Sequence, residues 1–368
     1  MPSESSISNL IERLDNPSEV DVDVLTTLLG LRGAECERLR DAAIHCMART
    51  VGTSVYLRGL VEVTNRCRQN CYYCGIRRDA SIERYRVTED EILDAARTCS
   101  QLGFGSMVLQ SGELTSDAHV DFISRAVARI KKETVSEALP DGLGITLSIG
   151  VLSPSQYQQL YDAGAHRYLL RIETSNPSLF AAIHPPEQSL NQRLDAIGSL
   201  RAVGFQVGTG VIIGLPGQTL RMLAEDILMF QKLDVDMIGM GPFLPSAATP
   251  MANVAISSVS ERLQLGLNMI AVTRLVLRDV NIASTTALEG LHPEGRLQGL
   301  AYGANVAMPN LTPLHQRPHY KLYDNKPFSQ SVDDAVAAIE TTGRRVALNE
   351  YGDSKHYFRR KKQSSANR

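Results

Sequence analysis

Three cysteines lie close together in the segment VEVTNRCRQNCYYCGIR, and their spacing indicates what chemistry the chain can carry. Cys67, Cys71 and Cys74 follow the pattern C-x3-C-x2-C, with an aromatic residue directly before the third cysteine. Three thiolates on one short loop can bind three irons of a 4Fe–4S cube and leave the fourth iron without a protein ligand. A structural zinc site requires a fourth ligand, and its cysteine pairs usually have the spacing C-x2-C. The pattern therefore predicts one 4Fe–4S cluster with an open iron; zinc or a chance trio are the alternatives.

The other three cysteines, Cys36, Cys46 and Cys99, lie in segments of helical periodicity and are not spaced like ligands. Cysteine is commonly a small buried apolar residue, so we predict that these three belong to the core. Six cysteines could form three disulfides on paper. In a chain of 368 residues without a start that resembles a signal peptide, metal binding is the better interpretation, and we expect a cytoplasmic protein.

The overall charge excludes some classes of partner. With 38 Lys+Arg against 40 Asp+Glu, the formal net charge is −2, which provides no electrostatic basis for binding nucleic acid or an anionic membrane. No stretch approaches the roughly 20 apolar residues that a transmembrane helix requires. We therefore expect neither a nucleic-acid partner nor a membrane partner.

Further polar residues follow predicted strands. Gly112 and Glu113 follow the second strand, where glycine permits a close backbone approach and a carboxylate can bind an ammonium group; a simple strand-to-helix turn is the alternative. In the fourth strand, Arg171 and Glu173 interrupt an apolar run. Residues two apart on a strand point to the same side, and buried charges require a partner or a ligand. We expect ligand contacts from this strand, with an internal salt bridge as the alternative.

Hydroxyl and aromatic side chains follow later strands. Thr285 and Thr286 come after the seventh predicted strand, where two hydroxyls could bind a carboxylate or phosphate, or cap the next helix. Tyr320 and Tyr323 are three residues apart and would face the same way on a helical turn. Met237 begins the sixth strand and lines either a pocket or the core.

The elements that must position these residues alternate regularly from residue 57 onward. Short apolar runs predict eight strands: Leu57–Val63, Ser106–Gln110, Gly144–Ile149, Arg167–Ile172, Phe205–Ile213, Met237–Met240, Asn281–Ser284 and Asn305–Met308. Amphipathic segments between most of them predict helices: Glu89–Leu102, Asp117–Lys132, Ser155–Ala163, Gln192–Val203, Leu220–Leu233 and Ser260–Leu277.

Eight strands with crossover helices favour a parallel α/β sheet that closes into a (βα)8 TIM-type barrel. A doubly wound open sheet is the alternative, but it usually has fewer repeats. The cysteine loop follows the first strand and would lie at the C-terminal mouth of the barrel, where this fold carries its chemistry.

Segments outside the repeats predict two additions to the barrel. Residues 5–50 have helical spacing without β-rich runs, so we predict an N-terminal helical extension over residues 1–52 that closes one end of the barrel, which itself covers residues 53–328. Residues 329–368 are predicted to hold one helix, Val332–Thr341, and the basic end RRKKQSSANR, which we expect to be disordered.

The cysteine motif, placed after a first strand, resembles that of the radical S-adenosylmethionine (SAM) superfamily. The resemblance implies that SAM chelates the open iron and that the reduced cluster cleaves SAM to methionine and a 5′-deoxyadenosyl radical, which the protein shields from water. In this superfamily a Gly-Glu pair after strand two typically meets the amino group of SAM. The resemblance thus implies a cofactor-binding segment of Gln110, Ser111, Gly112 and Glu113.

Longer stretches are similar to the HydE family, the radical SAM enzymes of FeFe-hydrogenase maturation. These are CRQNCYYCGIRRD, RYRVTEDEI, VLQSGE, AGAHRYLLRIETSNP, GLPGQT, MIGMGPFLPSAATPMAN, STTA and GANVAMPNLTP. The family pattern implies cluster ligation by the three clustered cysteines. It further implies SAM contacts from Ser111, Glu173 and Arg193, with Met237 near the adenosyl group. It places five catalytic residues around an internal substrate cavity: Arg171, Thr285, Thr286, Tyr320 and Tyr323.

The same resemblance implies a substrate and partners. The substrate would be a small sulfur-ligated iron species that bears carbonyl and cyanide, is handed over by another hydrogenase maturase and is attacked at its sulfur. The electron would come from a donor such as ferredoxin or flavodoxin. The chain departs from some family members because no cysteine follows Cys99, so we expect no second cluster. The loop that contains His292 does not match closely, and we expect a solvated histidine there.

Three other functions remain to be compared with this one. Biotin synthase shares the motif but requires a sulfur-bearing second cluster, for which strands two and four lack cysteines. Methylornithine synthase, a mutase that acts on lysine, shares the RYR and GE elements and is the main alternative. A cluster-binding scaffold without radical chemistry would not require Glu113 or Glu173.

Overall fold

The crossover helices begin where side-chain caps can satisfy their first backbone N–H groups. The computed structural model describes residues 4–326 and 332–366. Each of the six predicted crossover helices begins within two residues of its predicted start, and four of them open with a reciprocal capping box, as at Thr88 and Glu91 or Ser153 and Gln156. The helices are α1 Glu4–Arg13, α2 Val22–Leu29, α3 Glu35–Thr50, α4 Glu89–Gln101, α5 Asp117–Glu133, α6 Pro154–Asp162, α7 Pro177–Ile183, α8 Leu190–Val203, α9 Leu220–Lys232, α10 Val259–Leu277, α11 Thr286–Glu289, α12 Gly295–Ala301, α13 Val332–Thr341 and α14 Lys355–Ala366.

The strands form a parallel barrel. They are β1 Val55–Thr64, β2 Ser106–Ser111, β3 Gly144–Ser148, β4 Arg167–Leu169, β5 Gln206–Thr209, β6 Ile212–Ile213, β7 Met237–Ile238, β8 Gly241–Pro242, β9 Asn281–Ile282, β10 Val306–Ala307 and β11 Val346–Ala347. The order β10-β1-β2-β3-β4-β5-β7-β9 is parallel throughout, and the pair β6-β8 extends β5 and β7 toward the mouth. The amide of Asn305 donates to Ile282 O and that of Ser284 to Val306 O, both at 2.9 Å. These bonds join β9 to β10 and close the barrel, which confirms the predicted fold.

The C-terminal segment closes the end of the barrel opposite the mouth. β11 pairs with the first residues of β1, and the chain then crosses the barrel floor. There Gly352 O accepts hydrogen bonds from Arg58 Nη2 at 3.0 Å and from Asn281 Nδ2 at 2.9 Å. Arg167, which is fully buried, donates to Asp353 Oδ1 at 2.5 Å. The charge that Arg167 brings into strand four is therefore satisfied by the C-terminal segment, far from the mouth.

The N-terminal helices lie elsewhere than predicted. α2 and α3 pack against the outer helices α9 and α10, and Asn268 Nδ2 donates to the carbonyls of Leu29 and Leu31 at 3.1 Å. The expectation that they close one end of the barrel is wrong, because the C-terminal segment does so. The expectation of a disordered basic end is also wrong over residues 359–366, which belong to α14, where Arg359 binds Asp279 and Arg360 binds Asp236. No helix among the described residues is both long and apolar enough to cross a membrane.

Candidate active site

The loop between β1 and α4 carries the three clustered cysteines at the mouth of the barrel. Their side chains line one cavity of about 240 Å³, which we call the upper cavity. The Cys67 sulfur accepts the backbone N–H groups of Gln69 at 3.4 Å and Glu113 at 3.3 Å. Hydrogen bonds of this kind suit a thiolate that binds a metal cluster. Among residues 4–326 and 332–366, no three His, Cys, Asp or Glu side chains are grouped to hold a single metal ion.

Burial raises the pKa of the core cysteines as well as that of the clustered ones, but among the described residues only the three clustered thiols lie together on the wall of the upper cavity. Burial raises the pKa of Cys71, and burial together with the charges of Cys71 and Cys67 raises that of Cys74. A metal cluster would compensate this penalty, because ligation replaces the proton on each sulfur. Cys36 and Cys46 are buried in α3. The three clustered thiols thus fit a 4Fe–4S cluster in chemistry and in placement.

Gly112 and Glu113 brace the cysteine loop. A Cβ atom on Gly112 would lie 2.2 Å from Arg66 O, so glycine is required there by the approach of two loops of this chain. The Glu113 carboxylate is buried and accepts hydrogen bonds from Arg68 Nε at 3.1 Å, from the Gln69 amide and from Val151 N at 2.9 Å. Both carboxylate oxygens are therefore already bound by the protein, and the contact of Glu113 with SAM stays a prediction.

Gln110 and Ser111 end β2 at the same mouth and line the upper cavity. The Ser111 hydroxyl donates to Gly112 O at 2.7 Å. Gln110 also reaches the cavity below, so it lies where the two cavities meet. This segment lies beside the cysteine loop, as the predicted SAM contacts require.

Arg171 and Glu173 point to the same side, as their spacing predicts. Arg171 Nε lies 3.0 Å from Glu173 Oε2, and the pair lines the upper cavity. Glu173 has the left-handed backbone angle φ 64°, which is uncommon for a residue with a side chain and is often found at functional sites. Glu173 Oε1 accepts no hydrogen bond from the described residues. The internal salt bridge between Arg171 and Glu173 is therefore present, and it leaves Glu173 Oε1 available to a ligand.

Arg193 supplies the cation that faces the thiols. Its Nη1 donates to Arg171 O at 2.8 Å, and its side chain lines the upper cavity. Burial lowers the pKa of Arg193, but the acidic groups around it, Tyr73, Cys71 and Glu113 first, raise it overall. The guanidinium therefore stays charged beside the cysteine loop, where it can bind a carboxylate.

Three of the predicted catalytic hydroxyls, those of Thr285, Thr286 and Tyr323, line a second cavity of about 150 Å³ below the first, here called the inner cavity. The hydroxyls of Thr286 and Tyr323 lie 3.0 Å apart, and Thr285 Oγ1 donates to Met240 O at 3.1 Å instead of capping α11. Tyr320 is fully buried and lines the upper cavity, whereas Tyr323 lines both. Arg171 also lines both cavities, so the two cavities are adjacent and the five predicted residues surround them.

Two predicted residues lie away from the cysteine loop. Met237 lines the inner cavity, and its sulfur accepts Arg58 Nη1 at 3.2 Å. As the first residue of β7, it lies near the floor because parallel strands enter the barrel there, so this placement does not favour its predicted contact with an adenosyl group. His292 is exposed in its loop, where Nδ1 accepts the amide of Glu294 at 3.2 Å.

Sequence reasoning missed a buried ion pair in the inner cavity. Glu62 and Lys326 form a salt bridge, and Lys326 Nζ also donates to Tyr320 O at 2.8 Å. Burial raises the pKa of Glu62 and lowers that of Lys326, while their mutual attraction opposes both shifts. A carboxylate inside the apolar run of β1 could have revealed Glu62, since a buried charge requires a partner. The partner, 264 residues away, could not have been found in this way.

Comparisons with known proteins agree with this arrangement. The barrel and its cysteine loop define a radical SAM enzyme, and the family model of the Radical SAM superfamily matches residues 61–230. The chain is 39% identical over 95% of its length to the [FeFe] hydrogenase maturase subunit HydE of Thermotoga maritima, of which it covers 98%. The chain therefore belongs to the HydE group of the radical SAM superfamily, whose members bind a 4Fe–4S cluster and SAM.

More distant relatives share the same architecture. The 3-methylornithine synthase of Methanosarcina barkeri is 27% identical over 88% of this chain and 89% of its own length. Two solved structures have the same fold. Methylornithine synthase (PylB) has a TM-score of 0.78 at 24% identity, covering 92% of this chain and 98% of its own. The maturase HydG from Carboxydothermus hydrogenoformans has a TM-score of 0.79 at 18% identity, covering 96% and 82%.

Proposed function

We propose that this enzyme is a HydE-type maturase that acts in the assembly of the FeFe-hydrogenase active-site cluster. The support is the identity of 39% to a HydE over nearly the whole of both chains, together with two adjacent cavities, of which the cysteine loop lines the upper one. The identity to a methylornithine synthase is lower, at 27%.

In this proposal, Cys67, Cys71 and Cys74 ligate the cluster. When bound, the reduced cluster supplies the electron that cleaves SAM into methionine and a 5′-deoxyadenosyl radical. Arg193 binds the SAM carboxylate, and Glu173 uses its remaining carboxylate oxygen to bind a polar group of the same molecule. The closed barrel wall excludes water from the reacting groups below.

The charged residues that line the inner cavity support the proposal for the substrate. Its charged lining residues among those described are three cations, Arg58, Arg171 and Lys326, and one carboxylate, Glu62. Lys326 is paired with Glu62, and Arg171 is paired with Glu173 of the upper cavity, so the described part of the inner lining has no unpaired carboxylate for an ammonium group. We infer that it favours an anionic substrate over free lysine, which carries two ammonium groups at neutral pH. A sulfur-ligated iron species with carbonyl and cyanide ligands is anionic and small. We propose that Thr285, Thr286, Tyr320 and Tyr323 position it with Arg171.

The proposal also names partners. The enzyme would receive its electron from a ferredoxin or flavodoxin, and would exchange substrate and product with other hydrogenase maturases. We propose a cytoplasmic location, in keeping with six cysteines that are all free.

Anaerobically reconstituted protein tests the proposal in two steps. With dithionite and SAM it should release 5′-deoxyadenosine, and no release would favour a cluster scaffold. In a maturation assay with the other maturases and an apo-hydrogenase, adding the protein should increase hydrogenase activity. Conversion of lysine to methylornithine, without any gain in hydrogenase activity, would instead identify the mutase.

A further inference from the structure

The short segment between α7 and α8 lies directly against the cysteine loop. The amide of Tyr72 donates to Ile183 O at 3.0 Å, at the end of α7. One residue further, the Tyr73 hydroxyl lies 3.4 Å from His184 Nε2. The segment is thus held to the loop between the second and third cysteines, and the next side chain that reaches the loop is Gln188.

Gln188 is the residue of this segment that contacts a cysteine sulfur. Its Nε2 lies 3.5 Å and its Oε1 3.6 Å from Cys71 Sγ, and both side chains are buried. A protonated thiol can donate to Oε1. A thiolate that ligates iron has no proton, so only the bond from the Gln188 N–H to the sulfur remains.

The Tyr73 hydroxyl lies within hydrogen-bonding reach of both the Cys71 sulfur and His184 Nε2, and it has a single proton to donate. His184 Nδ1 lies 2.9 Å from Phe180 O, a carbonyl that can only accept, so Nδ1 carries the ring proton. Burial and the charge of Arg193 lower the pKa of His184 to about 3, so its ring is neutral and Nε2 accepts the Tyr73 proton. The Gln188 amide therefore remains as the side-chain donor to the Cys71 sulfur.

We propose that Gln188 is a positioning residue that sets the reduction potential of the cluster through an N–H···S bond to Cys71. This inference rests on the proposed ligation by Cys71. Reduction adds negative charge to the cluster and its sulfurs, and a donor aimed at a sulfur stabilises that charge. The bond is buried, so solvent does not weaken it. Among the described residues, the Cys67 sulfur accepts from backbone amides, and the Tyr73 hydroxyl near Cys71 is shared with His184, so Gln188 is the side-chain donor whose removal tests the bond.

A redox titration followed by EPR tests this role. Gln188→Met keeps the volume and removes the donor, and Gln188→Glu replaces the donor with a carboxylate. Both should make reduction less favourable, by about tenfold in the equilibrium constant for Gln188→Met, which is 59 mV for a one-electron couple. Gln188→Glu should shift the potential further in the same direction. Gln158→Met is the matched control, because Gln158 is exposed on α6 and its side chain donates to Asp162. The reduction potential of the cluster in this variant should equal that of the wild type.

Each result of the titration either supports or overturns the proposed role of Gln188. Wild-type potentials in both Gln188 variants would overturn the inference, as would loss of the cluster from both, which would indicate a role in folding the loop. If only Gln188→Met loses the cluster, the reduction potential of the cluster in Gln188→Glu tests the inference: a wild-type value overturns it, and a lower value supports it. A wild-type protein that takes up no cluster would overturn the proposed function and this inference with it, whereas an unchanged potential overturns only the inference.

Discussion

Six cysteines of one chemical type divide into two groups by their surroundings. Cys36 and Cys46 pack in α3 and Cys99 packs in α4, whereas the other three line the upper cavity beside Arg193. In the proposed ligation the three clustered cysteines share one cluster, so removing any one of them would remove a ligand that the remaining two cannot replace.

We predict that Cys71→Ala abolishes the EPR signal of the reconstituted cluster. Cys36→Ala is the control: it removes a buried thiol of α3, so its iron content should equal that of the wild type. Iron and sulfide analysis gives a second measurement. A cluster signal that survives in Cys71→Ala would contradict the ligand assignment.

The Arg171–Glu173 pair leads to a prediction about SAM. We expect Glu173→Gln to weaken SAM binding by about 10- to 100-fold, the value of a charge-assisted hydrogen bond of about 1.5–3 kcal/mol. The variant keeps the shape of the side chain, and Arg171, whose charge it leaves unpaired, is about 30% exposed, so the loss of stability should be smaller than for a fully buried ion pair. Equilibrium dialysis with labelled SAM measures the affinity. Unchanged affinity would exclude Glu173 from the SAM site.

The Glu62–Lys326 pair is buried, so the contribution of each residue to the free energy of unfolding should depend on the presence of the other. Glu62→Gln or Lys326→Met alone leaves an unpaired charge and should lower the free energy of unfolding by about 3–5 kcal/mol. The double variant leaves no unpaired charge and should lose less than the sum of the two. Urea denaturation of all four proteins gives the coupling energy. Additive losses would mean that the two residues act separately.

At the scale of elements, α14 is held to the floor of the barrel by a histidine between two carboxylates. His356 Nε2 lies 2.7 Å from Asp234 Oδ1, and Nδ1 lies 3.0 Å from Asp279 Oδ1. Burial alone would lower the pKa of His356, but these hydrogen bonds outweigh it and raise the pKa to about 9. The charged imidazolium is therefore the form that stabilises the folded state.

The sign of the pH dependence follows from this raised pKa. The contribution of His356 to stability is fully present below pH 6.5, its ordinary pKa, and is lost as the pH rises through about 9. Its size is about 2–3 kcal/mol, reduced by screening because Asp234 is partly exposed. We expect the difference in unfolding free energy between wild type and His356→Gln to fall from pH 6 to pH 9.5. A constant difference in urea titrations would contradict the charged pair.

The whole molecule depends on the N-terminal helices to cover an apolar surface. α10 is buried almost all around, including Leu267, Ile270 and Ala271, as expected for a helix covered on both sides. Its outer side packs on α2 and α3. Deletion of residues 1–52 would expose this side together with Asn268.

We therefore predict that the deletion variant is expressed as aggregated or oligomeric protein. Size-exclusion chromatography checks this, with a shorter deletion of residues 1–3 as the control. A monomeric deletion variant that still binds the cluster would show that the barrel does not require the extension.

Local periodicity explains why so much of the barrel could be predicted. The alternation of short apolar runs with capped amphipathic segments depends on neighbours within a few residues, which the sequence displays directly. Arg171 and Glu173 show both the strength and the limit of this. The two-residue repeat predicts that they share a side, as they do, but β4 ends at Leu169, and the left-handed turn at Glu173 arises where Ile172 N and Glu173 N both meet Gly210 O.

The sequence by itself determined the cysteine motif, the eight repeats and the polar residues at the mouth, because each depends on spacing along the chain. Only the tertiary structure decided which charges are neutralised and by what. Glu62 meets Lys326, Arg167 meets Asp353, and Gln188 meets Cys71 across 117 residues. Contacts of this kind leave no mark in local periodicity, because they form only when the barrel closes and brings distant segments together.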